Sequence, residues 1–121
     1  MIDVDHLREA QRAIERIHVD PDVAAYCTEL ARATRSAQHV AVGASTRGSL
    51  GLMLMARATA AMAGRDYVRP DDVKKVAVPV LAHRITLTPR AWAQGIDPAT
   101  VIAGVVSAAA VPPTVATAER R

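Results

Sequence analysis

Residues 40–50, VAVGASTRGSL, hold the groups best placed for chemistry in this sequence. A β-prone run, Val40-Ala41-Val42, enters Gly43; Gly48 and Ser49 then open an apolar stretch. The layout approaches that of a phosphate-cradling loop, G-x-x-x-x-G-K-[ST]. Such a loop needs a lysine to neutralise phosphate charge and a hydroxyl to hold magnesium. Ser49 and Leu50 occupy those two positions here. No later apolar strand ends in an acidic residue to complete a magnesium site. The glycine spacing alone therefore does not make a nucleotide cradle.

Arg47 is what the loop carries instead. Its guanidinium is a planar, permanently charged fork suited to phosphate oxygens. Free N–H groups at the start of a helix add positive potential at the same place. Gly43, Ser45, Thr46 and Gly48 form the loop and helix start that support it, and Thr46 can cap that helix. The small residues Gly48 and Gly51 are expected to leave the guanidinium uncovered and to let another surface approach. The same spacing also suits an arginine that pairs with a carboxylate or faces water.

Other groups offer less. His83-Arg84 has no acidic orienter or nucleophile at a telling spacing, so a contact at a helix C-terminus is expected there rather than acid–base work. His6, His18 and His39 are scattered and fit no metal-ligand spacing, so no metal site is expected. Cys27, the single cysteine, cannot form an internal disulfide and reads as a small buried hydrophobe. Arg35 reads as a helix-terminal charge, and residues 64–68 as a connector in which Tyr67 or Val68 plugs the core.

The elements that must position these residues are helices. The chain has 121 residues, enough for one domain, and half of them are hydrophobic, mostly Ala and Val. With one Trp, two Tyr and no Phe, packing falls to Leu, Ile, Val and Met. Five helices are expected. The first covers residues 4–17, with Asp3 as N-cap and Val4, Leu7, Ala10, Ile14 and Ile17 in one stripe. The second opens at Asp20-Pro21 and presents Val23, Tyr26, Cys27, Leu30 and Ala33. The third covers 46–63, with a principal apolar face of Leu50, Met53, Leu54, Ala58 and Ala61. Leu52, Met55 and Met62 add a second apolar side, so it is expected to be central. Gly64 suits the left-handed residue past its end.

The fourth helix starts at Pro70-Asp71-Asp72 and buries Val73, Val76, Ala77, Val80 and Leu81; Pro79 should kink it or cost its last turn one bond. Residues 85–88 could pair with Val40-Ala41-Val42. The fifth starts at Asp97-Pro98 and buries Val101, Ile102, Val105, Val106 and Ala109. Beyond Val111 a frayed tail is expected. The net charge of +3 and a pI near 9.6 come without a run of basic residues, which fits a solvated surface better than a nucleic-acid arm. No signal peptide or membrane-spanning stretch is read, so the cytoplasm is the expected compartment.

Four stretches together resemble the C-terminal part of MoxR-type AAA+ ATPases, in that family's order and at about its spacing. They are Tyr26 with residues 30–35 (LARATR), residues 43–47 (GASTR), residues 64–73 (GRDYVRPDDV) and residues 80–85 (VLAHRI). The resemblance covers residues 19–87. It implies an all-α fold, a small helical bundle that forms the lid following an α/β nucleotide-binding core, with at most a minimal two-strand pairing. Residues 1–18 would be an N-terminal helix or linker from that core, 19–110 the lid, and 111–121 the tail.

Arg47 falls at the family's sensor-2 position, which reaches the terminal phosphate of ATP. The family usually has proline where this chain has Thr46. Magnesium would be held by the parent protein, outside this chain. Without Walker A and Walker B elements the chain alone should not hydrolyse ATP, and it reads as a fragment of a longer, chaperone-like ATPase. Its partners would be the core domain, neighbouring subunits of a ring (a hexamer) and a client protein that the sequence does not identify. Neither membrane nor nucleic acid is expected among them. Two rival readings stand beside this one. The Pro70-Asp71-Asp72-Val73 start also occurs in histone-fold nucleic-acid-binding modules, and the scaffold would suit a stand-alone protein-interaction adaptor.

Overall fold

In the computed structural model, which describes residues 1–113, helices pack about a central helix of 17 residues. The elements in chain order are α1 (Val4–Glu15), α2 (Pro21–Arg35), β1 (Val40–Val42), α3 (Thr46–Met62), α4 (Pro70–Leu81), β2 (Thr86–Leu87), α5 (Pro89–Ala93) and α6 (Pro98–Ala108). A 3-10 turn, Ala82–Arg84, follows α4 directly. The tail expected over 111–121 lies largely outside the described residues.

Local chemistry fixes the helix starts. The Asp3 carboxylate accepts the His6 N–H at 2.9 Å, and Asp20 accepts that of Asp22 at 3.1 Å. Thr88 accepts from Ala91 at 3.1 Å and Asp97 from Ala99 at 3.0 Å. Four helices then begin with proline, whose missing N–H costs nothing at that position. Thr88-Pro89 thereby starts α5, a helix the sequence reading did not contain; five residues are too few to show a period. Among the described residues six helices replace the expected five.

The core lies between α2, α3, α4 and α6. Val23, Tyr26, Cys27 and Leu30 of α2 meet Val73, Val76, Ala77, Val80 and Leu81 of α4, while Ile102 and Val105 of α6 close one side. Val68 fills the core from the α3–α4 connector. The antiparallel pairing of β1 with β2 matches Val40 to Leu87 and Val42 to Thr86.

α3 is central, with α1, α2 and α4 packed on it, but it buries a different face from the expected one. Gly48, Ser49, Leu52, Ala56 and Ala60 turn inward, whereas Leu50 is 61% and Leu54 53% exposed. The reason is distance. A Cβ added at Gly48 would lie 3.1 Å from Leu81 Cδ2, and one at Gly51 would lie 3.2 Å from Val80 Cγ1. α4 comes so close that the glycine–alanine side of α3 fits against it, and the bulky Leu50 and Leu54 turn outward.

α1 ends at Glu15, two residues before the expected Ile17, and buries none of its side chains. Ile17 packs against the core just beyond it. His18 then bridges to the α3–α4 connector: its N–H donates to Asp66 at 2.8 Å, and its carbonyl accepts from Val68 at 2.9 Å.

Candidate functional site

Arg47 stands exposed in the first turn of α3 and forms no ion pair with any described residue. The carboxylate partner that would have made it a plain structural arginine is therefore not present among those residues. Ser45, rather than Thr46, is the N-cap: its hydroxyl accepts the Arg47 N–H at 3.3 Å, and its carbonyl accepts the Gly48 N–H at 2.8 Å. Thr46 is the first helical residue, a position where proline is also well tolerated. Ser49 donates to the Thr46 carbonyl at 2.8 Å and so closes the first turn.

The two glycines act otherwise than the sequence suggested. Gly48 is buried, and both Gly48 and Gly51 serve the close approach of α4 rather than leaving room around the guanidinium. Gly43 has a comparable task at the other end of the loop. A Cβ there would lie 2.6 Å from both the backbone nitrogen and Cα of Arg35, so the chain leaving β1 runs directly over the last residue of α2. Ala44, fully buried, comes next. Its N–H donates to the Thr34 hydroxyl at 2.8 Å, and its carbonyl accepts from Arg35 Nε at 3.3 Å. The Thr34 hydroxyl in turn donates to the Ala31 carbonyl at 2.6 Å. Arg35 thus ends α2, as expected of a helix-terminal charge, and also reaches the loop.

Arg84 arrives at the same end of α3 from the 3-10 turn: a Cβ on Gly48 would lie 3.9 Å from Arg84 Cδ. Sequence reasoning missed this neighbour, and Thr34, because each meets the loop only through tertiary packing. The alternation of buried Leu30, Ala31 and Thr34 was the one available signal, since a threonine inside an apolar stripe needs a partner for its hydroxyl.

Farther off, the connector 64–68 carries a buried ion pair. Gly64 takes the left-handed conformation (φ 78°) that ends α3. Arg65 then grips Asp72 through two hydrogen bonds of 2.7 and 2.6 Å, and Asp72 also accepts the Arg69 N–H at 2.8 Å. Burial works to raise the Asp72 carboxyl, but the bonds from Arg65 and Arg69 outweigh it and hold the group below the usual carboxylate range. Cys27 is fully buried, and burial pushes its thiol up to about 12. Among the described residues no group of three His, Cys, Asp or Glu could hold a metal ion. An apolar groove of about 560 Å³ lies between the end of α2 and α6, lined by Ala33, Ala37, Val101, Gly104 and Val105; it contains none of the residues around Arg47.

Comparison with known proteins fits this architecture. The family described as AAA lid domain matches residues 32–105, a span that includes Arg47 and the whole loop. An uncharacterised protein of Bacillus subtilis, YeaC, is 37% identical over 102 residues, covering 84% of this chain and 32% of its own. The chaperone MoxR1 of Mycobacterium tuberculosis is 49% identical over 73 residues, covering 60% of this chain and 19% of its own. The protein MoxR of Paracoccus denitrificans is 36% identical over 85 residues, a quarter of its length. The chain thus spans a third or less of these relatives. A crystal structure from Cytophaga hutchinsonii, assigned as an ATPase, superposes with a TM-score of 0.84 at 31% identity, over 89% of this chain and 36% of that one.

Proposed function

The chain belongs to the AAA lid domain family, and on that footing we propose that it is the ATP-sensing lid of a MoxR-type ATPase, with Arg47 as its sensor-2 arginine. Residues 19–110 form the lid, residues 1–18 lead to it from a nucleotide-binding core, and the parent acts as a chaperone-like ring oligomer, a hexamer, in the cytoplasm. Among the described residues no helix is long and apolar enough to cross a membrane.

One observation carries this reading: an exposed arginine without a carboxylate partner among the described residues, in the first turn of a capped helix, inside the span shared with the lid family. An anionic phosphate fits that place on charge and on geometry. The guanidinium offers a planar donor fork, and the α3 dipole adds to the positive potential there. Arg47 would bind the terminal phosphate of ATP from the lid side and stabilise charge that develops on it. After the phosphate leaves, that contact weakens and the lid is free to rotate, which couples hydrolysis to motion. Magnesium is held by the core domain and not by residues of this chain.

The test is Arg47→Ala in the full-length protein, with turnover and ATP affinity measured side by side. Removing a charged donor of this kind lowers turnover by about a hundredfold. Wild-type turnover together with wild-type affinity would overturn the reading.

A further inference from the structure

We propose that Thr34 and Arg35, at the end of α2, are positioning residues that set where Arg47 stands. The proposal rests on the reading of Arg47 as the phosphate-sensing residue. Neither Thr34 nor Arg35 is placed to touch nucleotide through any contact described above; both act through Ala44.

Ala44 precedes the Ser45 cap, and only Ser45 and Thr46 separate it from Arg47. Both of its backbone polar groups are held by consecutive residues of α2, the N–H by Thr34 and the carbonyl by Arg35. Thr34 is completely buried and has a stiff, β-branched side chain whose hydroxyl is already committed to Ala31. Its lone pairs therefore stand in one place, and Ala44 must come to them. Gly43 lets the chain come that close, because any Cβ there would strike the Arg35 backbone. An exposed arginine side chain is long and free to rotate. What the fold can fix is the backbone from which it projects, and the α2 clamp fixes that backbone two residues before the helix begins.

The experiment uses the full-length protein and compares ATP turnover in Thr34→Val, Thr34→Ser, Arg35→Met, Arg47→Ala and the double variant Thr34→Val/Arg47→Ala. Valine keeps the shape of threonine but leaves the buried Ala44 N–H without a partner, so turnover should fall about tenfold; Arg35→Met, which removes one hydrogen bond at the surface, should cost about threefold. Serine retains the hydroxyl and should restore most of the activity. If Thr34 acts through Arg47, adding Thr34→Val to Arg47→Ala should cost nothing further. A full additional loss in that background would mark Thr34 as merely structural and overturn the proposal. So would wild-type turnover in Thr34→Val beside an impaired Arg47→Ala, a result that leaves the reading of Arg47 intact. Wild-type turnover in Arg47→Ala would overturn both. Should Thr34→Val fail to fold, the exposed Arg35→Met, alone and combined with Arg47→Ala, decides the question by the same comparison.

Discussion

Arg65 in the connector between α3 and α4 is joined to Asp72 in the first turn of α4 by two hydrogen bonds of 2.7 and 2.6 Å. The Asp72 side chain is 1% exposed and that of Arg65 15%. Asp72 also accepts the N–H of Arg69, the residue before α4, so the pair fixes the angle at which that helix enters the core. Removing Asp72 leaves Arg65 with its 3.2 Å bond to the Tyr67 carbonyl but without its counter-charge, and removes the carboxylate acceptor of the Arg69 N–H. Asp72→Ala should therefore cost about 3–5 kcal/mol of stability, read from urea unfolding. A loss within the range of an ordinary surface substitution would show that the pair does not anchor α4.

The same carboxylate gives stability a pH dependence. Its folded-state pKa lies below its ordinary value, so its contribution is complete above the ordinary range and is lost as pH falls through the lowered folded value. The urea midpoint should stay level down to about pH 5 and drop below about pH 4. Arg65, held up by Asp72, titrates far above this window and adds no slope within it. Asp72→Asn should be weaker at neutral pH and show a shallower acid limb; an unchanged limb would assign the dependence to other groups.

Gly43→Ala tests the passage of the loop over α2. The added Cβ would meet backbone atoms of Arg35 at 2.6 Å, and backbone cannot turn aside as a side-chain tip can. Strain of this kind costs about 1–3 kcal/mol, and the Ala44 N–H should lose protection from hydrogen exchange as the loop lifts off Thr34. Wild-type protection at Ala44 would mean that the loop accommodates the methyl group without leaving the clamp.

Cys27 should be chemically silent in the native state. Its side chain is fully buried and its thiol is pushed up to about 12, so almost no thiolate exists at neutral pH. Titration with an aromatic disulfide reagent should show no reaction over hours in buffer and one equivalent in denaturant. Prompt native-state labelling would reveal an opening of the α2–α4 packing.

Arg47→Ala should leave stability within about 0.5 kcal/mol of wild type, because the side chain is exposed and makes no ion pair with any described residue. Parallel denaturation curves of the two proteins check this. The result makes any loss of turnover in the parent attributable to the site, whereas a large destabilisation would show that the guanidinium also serves the fold.

The sequence by itself determined the helix starts at Asp3, Asp20-Pro21, Pro70 and Asp97-Pro98 and the inward stripes of α2, α4 and α6; it offered the pairing of the two short strands only as a possibility. Caps, proline positions and amphipathic stripes rest on contacts within about four residues, which a linear reading can see. It also put Arg47 in the first turn of α3, where the structure has it. Tertiary structure decided the rest. α3 is apolar on more than one side, so its own pattern could not choose a buried face; the close approach of α4 chose the glycines and alanines and turned Leu50 and Leu54 outward. Gly48 became a packing residue through the same placement of the helix, whereas the cap at Ser45 rather than Thr46 is a local difference of one residue. The clamp of Thr34 and Arg35 on Ala44 joins residues nine or ten apart, on elements whose relative position no local rule contains. Arg47 was named as the candidate for chemistry from the types and spacing of a few residues; the hydrogen bonds that hold the loop before it depend on how that loop packs on α2.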